Sequence, residues 1–157
     1  MNVIIPLGGI GNRFQKEGYD KPKPFIDILG KEMLLWVTEH LNLSSDDSLV
    51  MVFNPAFMDI DKYMADVIKT KYPSVILVEL PGPTRGAAET VLFGLKGISQ
   101  DMRNRPCMLC DGDSFYTVDI VSLYRKVSAT HNASFTFVDT QPKPIYSYVT
   151  VTEGLAM

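Results

Sequence analysis

Short apolar runs alternate with helical patterns along almost the whole sequence. Four runs have the length and composition of buried strands, and they lie at residues 1–7, 48–53, 74–80 and 105–110. Between and after these runs, apolar residues recur at helical spacing, at residues 31–43, 56–72, 86–98 and 119–131. Strands that alternate with helices in this way favour a mainly parallel sheet with helices on both faces. The sequence therefore predicts an α/β fold, a three-layer sandwich around that sheet.

The last part of the sequence carries two more predicted strands, at residues 133–138 and 147–152. The second has the pattern of the first arm of a hairpin, but no return strand is recognisable after it. An unpaired strand at a chain terminus invites association with another strand. We therefore expect either that the chain is a fragment or that a second copy completes the sheet in a homo-oligomer.

The composition argues against several classes of partner. Of the 157 residues, 46% are hydrophobic and 21% are charged, which is ordinary for a soluble globular protein. The net charge of −3 does not indicate nucleic acid or an anionic membrane as a partner. The N-terminal apolar run has no basic leader and stops at Pro6 and Gly8, and no run approaches the roughly 18 residues of a membrane span. We therefore expect a cytoplasmic protein.

The first predicted strand leads directly into a glycine-rich loop, G-G-I-G-N-R at residues 8–13. Ligands of parallel α/β sheets bind at the carboxyl ends of the strands, and glycines there allow several backbone N–H groups to point at one anion. Arg13 adds a planar set of donors that suits phosphate oxygens. The loop lacks the lysine of a P-loop, and Gly18, Pro22 and Pro24 argue against the long helix that follows a dinucleotide-binding loop.

Two lysines in the next segment each precede a proline, Lys21 before Pro22 and Lys23 before Pro24. A residue before proline is disfavoured in the helical region, so both lysines are predicted to have extended backbones. A stiff frame suits an ammonium group that must meet a phosphate at a fixed place. The same frame is equally typical of a solvent-exposed loop.

The fourth predicted strand ends in the turn Asp111-Gly112-Asp113. Residues two apart in an extended segment face the same way, so both carboxylates are expected to enter the crevice at the strand end. Mg²⁺ commonly binds one or two carboxylates together with substrate phosphates. Haloacid dehalogenase-like phosphatases also place D-x-D after a buried strand, but near the start of their domain, and they would leave the glycine-rich loop unexplained.

Residues 5–31 resemble the signature of the sugar-phosphate nucleotidylyltransferases and their cytidylyltransferase relatives. The matching strings are P-L-G-G-I-G-N-R-F, K-P-K-P-F and G-K, in which Gly8, Gly9, Gly11, Arg13 and Lys23 match position by position. The string T-R-G-A-A-E-T at residues 84–90 resembles the glycine-alanine helix start of that family, whose backbone lies beside the nucleotide base.

The resemblance implies the Rossmann-like fold of the nucleotide-diphospho-sugar transferases. It also implies an Mg²⁺-dependent transfer of NMP from an NTP to a phosphorylated small molecule, with release of pyrophosphate. Arg13 would steady the leaving pyrophosphate and Lys23 the reacting phosphates, which makes both catalytic; Asp113 would hold the metal. Asp111 would contact the ribose or a metal-bound water. The expected contacts with the nucleotide are Leu7, Gly8, Gly9, Gly11, Asn12, Arg13, Lys23, Gly86, Ala87 and Asp111.

The domain of that family continues past the segments described above, with a later Glu-Lys pair and a second metal-binding aspartate. The sequence stops before either, so residues 1–157 are expected to form a single nucleotidyltransferase domain that lacks its C-terminal part and turns over weakly. The acceptor is expected to be a sugar 1-phosphate or a similar compound. Three alternatives stay open: a non-catalytic nucleotide-binding domain, a phosphocholine-type cytidylyltransferase, and a glycosyltransferase of the same fold.

Overall fold

The structure, a computed structural model, describes residues 1–9, 11–56, 60–127 and 131–156. Its strands are β1 (Asn2–Leu7), β2 (Asp27–Ile28), β3 (Lys31–Glu32), β4 (Ser48–Phe53), β5 (Ile76–Glu79), β6 (Cys107–Leu109), β7 (Val151–Thr152) and β8 (Leu155–Ala156). Its helices are α1 (Asn12–Lys16), α2 (Met33–Glu39), α3 (Ile60–Tyr63), α4 (Lys69–Lys71), α5 (Ala87–Lys96), α6 (Gln100–Arg103) and α7 (Ile120–Val127). A 3-10 turn at Lys23–Phe25 and a π turn at Met64–Ile68 complete the helical elements.

The main sheet has four strands, all parallel, in the order β5-β4-β1-β6. β1 pairs along its whole length with β4, and on its other side Asn2 lies opposite Cys107 of β6. The chain therefore builds outward from β1 through β4 to β5, and then returns to the opposite side of β1. In open α/β sheets, such a reversal opens a crevice at the carboxyl ends of the two strands that flank it. Here those strands are β1 and β6.

Side chains of β1 alternate between two cores, one on each face of the sheet. Val3, Ile5 and Leu7 belong to a large core that α2, α3, the π turn and α7 cover. Ile4 belongs to a smaller core, to which α5 and α6 contribute Phe93, Leu95 and Met102. Helices thus lie on both faces, because a strand buried on both sides needs an apolar cover on each. The predicted α/β class and the mainly parallel sheet are confirmed.

Three predicted helices differ from the structure, either at an end or within their length. The helix predicted over residues 31–43 begins only at Met33, because the two residues before it pair with β2 in a small hairpin. The helix predicted over residues 56–72 contains the π turn between α3 and α4, and residues 57–59 of it lie outside the described part of the structure. The helix predicted over residues 119–131 is observed as α7, and residues 128–130 of it also lie outside the described part. Among the helices that the structure describes, none is long and apolar enough to cross a membrane.

Two predictions for the C-terminal segment are wrong. Residues 133–138 form no strand, and the side chains of Phe137 and Val138 are 69% and 88% exposed, since no described strand lies beside them. Of the strand predicted over residues 147–152 only Val151–Thr152 is observed, and this strand does have a return strand, because β7 pairs with β8 across Glu153 and Gly154. These two residues have left-handed φ of 52° and 80°, as the two central residues of a tight hairpin turn require.

The side chain of Asp47 is fully buried and meets several donors. Its Oδ1 lies 3.0 Å from the N-terminal ammonium of Met1, and the Ser44 N–H and hydroxyl donate to Oδ2 at 2.8 and 3.0 Å. Arg125 pairs with the same carboxylate. Burial alone would raise the pKa of Asp47, but the hydrogen bonds from Ser44 and the ammonium outweigh it and lower the pKa to about 2.

We expect Asp47→Asn to lower the free energy of unfolding by about 2 kcal/mol at neutral pH. The pKa of Asp47 is lower in the folded protein than in the unfolded chain, so its contribution is complete above about pH 4 and is lost as the pH falls towards 2. Urea unfolding at several pH values measures the free energy of unfolding of wild type and of Asp47→Asn. The difference between the two should become smaller as the pH is lowered. Asp46→Asn is the matched control, since the exposed neighbour should tolerate the change. An equal loss of stability in Asp46→Asn would contradict this account, and so would a difference in stability between wild type and Asp47→Asn that does not depend on pH.

Candidate functional site

A cavity of about 460 Å³ opens at the carboxyl edge of the sheet, at the crevice between β1 and β6. Four segments form its wall: the loop after β1, the 3-10 turn at Lys23–Phe25, the loop between β5 and α5, and the turn after β6. The structure brings ten of the eleven sequence-predicted site residues to this wall, namely Leu7, Gly8, Gly9, Gly11, Arg13, Lys23, Gly86, Ala87, Asp111 and Asp113. The eleventh, Asn12, begins α1, and its side chain lies outside the described part of the structure.

The loop after β1 passes into a helix of only five residues, α1, and not into the long helix against which the sequence argued. The helix begins after Gly11, whose φ of 64° is left-handed and whose carbonyl accepts the N–H groups of Phe14 and Gln15. A smaller cavity of about 210 Å³ lies beside it and shares Gly11, Arg13 and Lys23 with the main one. The short helix therefore carries Arg13 to the wall between the two cavities.

Gly8 is required at its position by close packing rather than by its φ. A Cβ atom at Gly8 would lie 2.5 Å from Thr90 Oγ1, closer than real side chains approach. Thr90 is buried, and its hydroxyl lies 2.8 Å from Thr84 Oγ1 and 3.3 Å from the carbonyl oxygen of Gly86, to which it donates. This network ties the loop before α5 to the first turn of that helix and presses both against the glycine-rich loop.

Sequence reasoning missed Thr84 and Thr90, which line the cavity and set the distance between two of its walls. Arg85 was missed as well. It lines the cavity and is bound to Glu89, through its backbone N–H at 2.7 Å and its guanidinium at 2.9 and 3.0 Å. The hydrogen bonds from Arg85 lower the pKa of the Glu89 carboxyl. The sequence signal for these three residues was the string T-R-G-A-A-E-T at residues 84–90, and this string does not indicate which of its side chains face the crevice.

Lys23 does not have the predicted extended backbone, because it begins the 3-10 turn. In that turn the Phe25 N–H donates to the Pro22 carbonyl at 2.9 Å, and the Ile26 N–H donates to the Lys23 carbonyl at 3.2 Å. Pro24 is compatible with the turn, since the first N–H groups of a helix have no partner within it. Lys21 lies outside the cavity wall and pairs with Asp27 at 3.4 Å.

Lys23 and Asp113 form an ion pair inside the cavity, with 2.7 Å between Nζ and Oδ2. Both side chains are partly exposed, 38% and 31% respectively, so solvent and ligands can reach them. The Lys23 ammonium also lies 5.7 Å from the ring centroid of Phe14 on α1, within cation–π range. Arg13 forms no ion pair with any residue that the structure describes. Among the described residues, the cavity thus has two paired cations, Lys23 and Arg85, and one, Arg13, without an ion pair.

Asp111 and Asp113 are the carboxylates through which the cavity could hold a metal ion. In the described ranges no group of three or more His, Cys, Asp or Glu residues has metal-binding geometry. Mg²⁺ does not require such a group, because one or two carboxylates suffice when substrate phosphates and water supply the other ligands. The two aspartates therefore fit a divalent cation that arrives with a phosphorylated ligand.

Comparisons with known proteins agree with the fold. The sequence profile of the family described as nucleotidyl transferase matches residues 2–156. A D-glycero-alpha-D-manno-heptose 1-phosphate guanylyltransferase from Campylobacter jejuni is 29% identical over 127 residues, 78% of this chain and 52% of that relative. The crystal structure of a nucleoside-diphosphate-sugar pyrophosphorylase from Vibrio cholerae RC9 matches with a TM-score of 0.61 and 22% identity, over 77% of this chain and 52% of that one. The chain thus spans about half the length of each of these relatives.

Proposed function

Because the chain belongs to the nucleotidyl transferase family, we propose that it transfers an NMP unit from an NTP to a phosphorylated small molecule and releases pyrophosphate. One observation supports this most. Arg13, Lys23 and Asp113, which are remote from one another in the sequence, line a single cavity at the carboxyl edge of a parallel sheet. Two cations and a potential metal ligand around one open space suit a triphosphate.

The chemistry of this reaction demands positioning and charge neutralisation more than proton transfer. A phosphate oxygen of the acceptor attacks the α-phosphorus in line, and pyrophosphate leaves. In our proposal Lys23 binds the acceptor phosphate and the α-phosphate, and Arg13 steadies the pyrophosphate. Asp113, with Asp111 beside it, would hold Mg²⁺, whose charge offsets that of the phosphates.

Another part of the cavity wall suits the base and ribose. Gly8, Gly86 and Ala87 line it with small or absent side chains, which allow a flat ring to lie close to the backbone. The start of α5 also presents backbone N–H groups and the positive end of a helix dipole to nearby phosphates. We propose that the base lies here and the triphosphate extends towards Arg13 and Lys23.

The acceptor class is proposed from the relative in C. jejuni, which is named a heptose 1-phosphate guanylyltransferase. We propose a sugar 1-phosphate as the acceptor and GTP as the first nucleotide to test. The cavity residues by themselves do not select a base, so CTP, UTP and ATP belong in the same experiment.

The test combines binding and turnover. Each of the four NTPs is titrated into the protein with and without Mg²⁺ by calorimetry, and pyrophosphate release is measured with a panel of sugar 1-phosphates and phosphocholine. The proposal expects one preferred NTP, bound better with Mg²⁺, and pyrophosphate release that needs both NTP and acceptor. Binding without release would instead indicate a non-catalytic nucleotide-binding domain. Use of an NDP-sugar donor without pyrophosphate release would indicate a glycosyltransferase.

A further inference from the structure

Lys23 and Asp113 are assigned to different partners in the proposed reaction, yet in the structure they bind each other. The distance of 2.7 Å between Nζ and Oδ2 is that of a charge-assisted hydrogen bond. The pair is not a buried structural element, since both side chains remain about one-third exposed to the cavity. Something that enters the cavity can therefore separate them.

We propose that the Lys23 ammonium occupies the place of a divalent cation on Asp113, so that the cavity takes up metal and phosphate together and resists metal alone. This inference rests on the proposed function, because it concerns the same phosphate site. It adds a second role for Lys23, that of an internal counter-ion, and it specifies the ligand as a metal–nucleotide complex rather than a metal followed by a nucleotide.

The physical reason is competition for one carboxylate. A divalent cation that arrives alone must share Asp113 with an ammonium group, or displace it into a cavity where Arg13 adds a further positive charge. When a phosphate arrives with the metal, the Lys23 ammonium can leave the Asp113 carboxylate and pair with the phosphate. The flexible four-carbon stem of lysine allows its charge to move between the two. Uptake of metal and of phosphate is then thermodynamically coupled, and the coupling is reciprocal.

The other cations of the cavity provide a matched comparison. Arg13 lines the same cavity but forms no ion pair with any described residue. Arg85, in the loop before α5, is paired with Glu89 of that helix and not with an aspartate of the turn after β6. Removal of the Arg13 charge thus changes the electrostatic potential of the cavity without freeing Asp113, whereas removal of the Lys23 charge does both.

Binding of Mn²⁺, followed by the loss of the EPR signal of the free ion, tests the inference without any turnover. It is measured for wild type, Lys23→Gln, Lys23→Arg and Arg13→Gln, first with Mn²⁺ alone and then with each of the four NTPs. Lys23→Gln should bind Mn²⁺ alone about fivefold more tightly than wild type, and Mn²⁺–NTP about tenfold more weakly. Lys23→Arg should bind Mn²⁺ alone as wild type does. Arg13→Gln should weaken Mn²⁺–NTP binding and change binding of Mn²⁺ alone by less than about twofold.

The opposite signs of the two Lys23→Gln effects are the decisive result. If that variant binds Mn²⁺ alone no better than wild type while wild type still binds Mn²⁺–NTP, the inference fails and the proposed function stands. Equal tightening in Arg13→Gln would also overturn it, because general electrostatics would then explain the effect. If wild type binds none of the four NTPs with Mn²⁺, the inference and the proposed function both fail. Circular dichroism and thermal unfolding of each variant establish that it is folded.

Discussion

Replacing Asp113 by asparagine should lower the rate of pyrophosphate release by about two to three orders of magnitude and remove its dependence on Mg²⁺. The amide has nearly the same shape as the carboxylate but no charge, so it is a poor ligand for a hard divalent cation. Without a held cation, the charge that builds on the phosphates is offset less completely, by protein groups such as Arg13 and Lys23. The rate is measured with the preferred NTP and acceptor over a range of Mg²⁺ concentrations.

Asp111→Asn is the matched control, since it makes the same change in the same turn. It should lower the rate of pyrophosphate release by about tenfold, because the role proposed for Asp111 is a hydrogen bond to the ribose or to a metal-bound water. Neither variant should lose more than about 1 kcal/mol of stability, as the Lys23–Asp113 pair is partly exposed. Mg²⁺-dependent release that survives in Asp113→Asn would show that the metal is held elsewhere.

Gly94→Val should lower the free energy of unfolding by about 3 kcal/mol, the largest effect on stability that we expect from a single substitution. Helix α5 packs so closely on the sheet that a Cβ at Gly94 would lie 2.6 Å from Val52 Cγ2 and 3.6 Å from Ile4 Cγ2. Val52 and Ile4 are fully buried, and their branched side chains have few alternative rotamers. The helix must therefore move away from the sheet, which can be measured as a lower urea midpoint.

Gly82→Val makes the same substitution where nothing lies within 4 Å of the added Cβ. It should change the free energy of unfolding by no more than about 0.5 kcal/mol. Because Thr90 on the same helix touches Gly8, a displaced α5 should also weaken nucleotide binding in Gly94→Val. A Gly94→Val protein as stable as the control would mean that the helix and sheet are not in the contact described above.

The sheet and the position of the cavity could be predicted because both follow from local sequence. β1 and β4 are uninterrupted apolar runs, and such runs are typical of strands buried on both faces. The glycine-rich loop and the paired aspartates follow directly after strands, so a parallel sheet brings them to one edge.

Contacts between remote residues could not be predicted, since no local pattern encodes them. Nothing in the sequence pairs Lys23 with Asp113, or places Thr90 against Gly8. The strand predicted at residues 133–138 failed for a related reason, because β-type composition gives a strand only when a neighbouring strand offers hydrogen bonds. The 3-10 turn at Lys23 arose because a local hydrogen bond outweighed the preference of a residue before proline.

The arrangement of β6 has a consequence for how the molecule forms. β1 and β6 are neighbours in the sheet, where Asn2 pairs with Cys107, although the two strands are far apart in the sequence. Parallel pairing between such distant segments is slow, because a long loop must close first. The cavity has one wall after each of these two strands, so it exists only once β6 has docked. A ligand that contacts both walls would stabilise the pairing of β6 with β1. The affinity of the protein for that ligand is therefore also a measure of how completely the chain has folded.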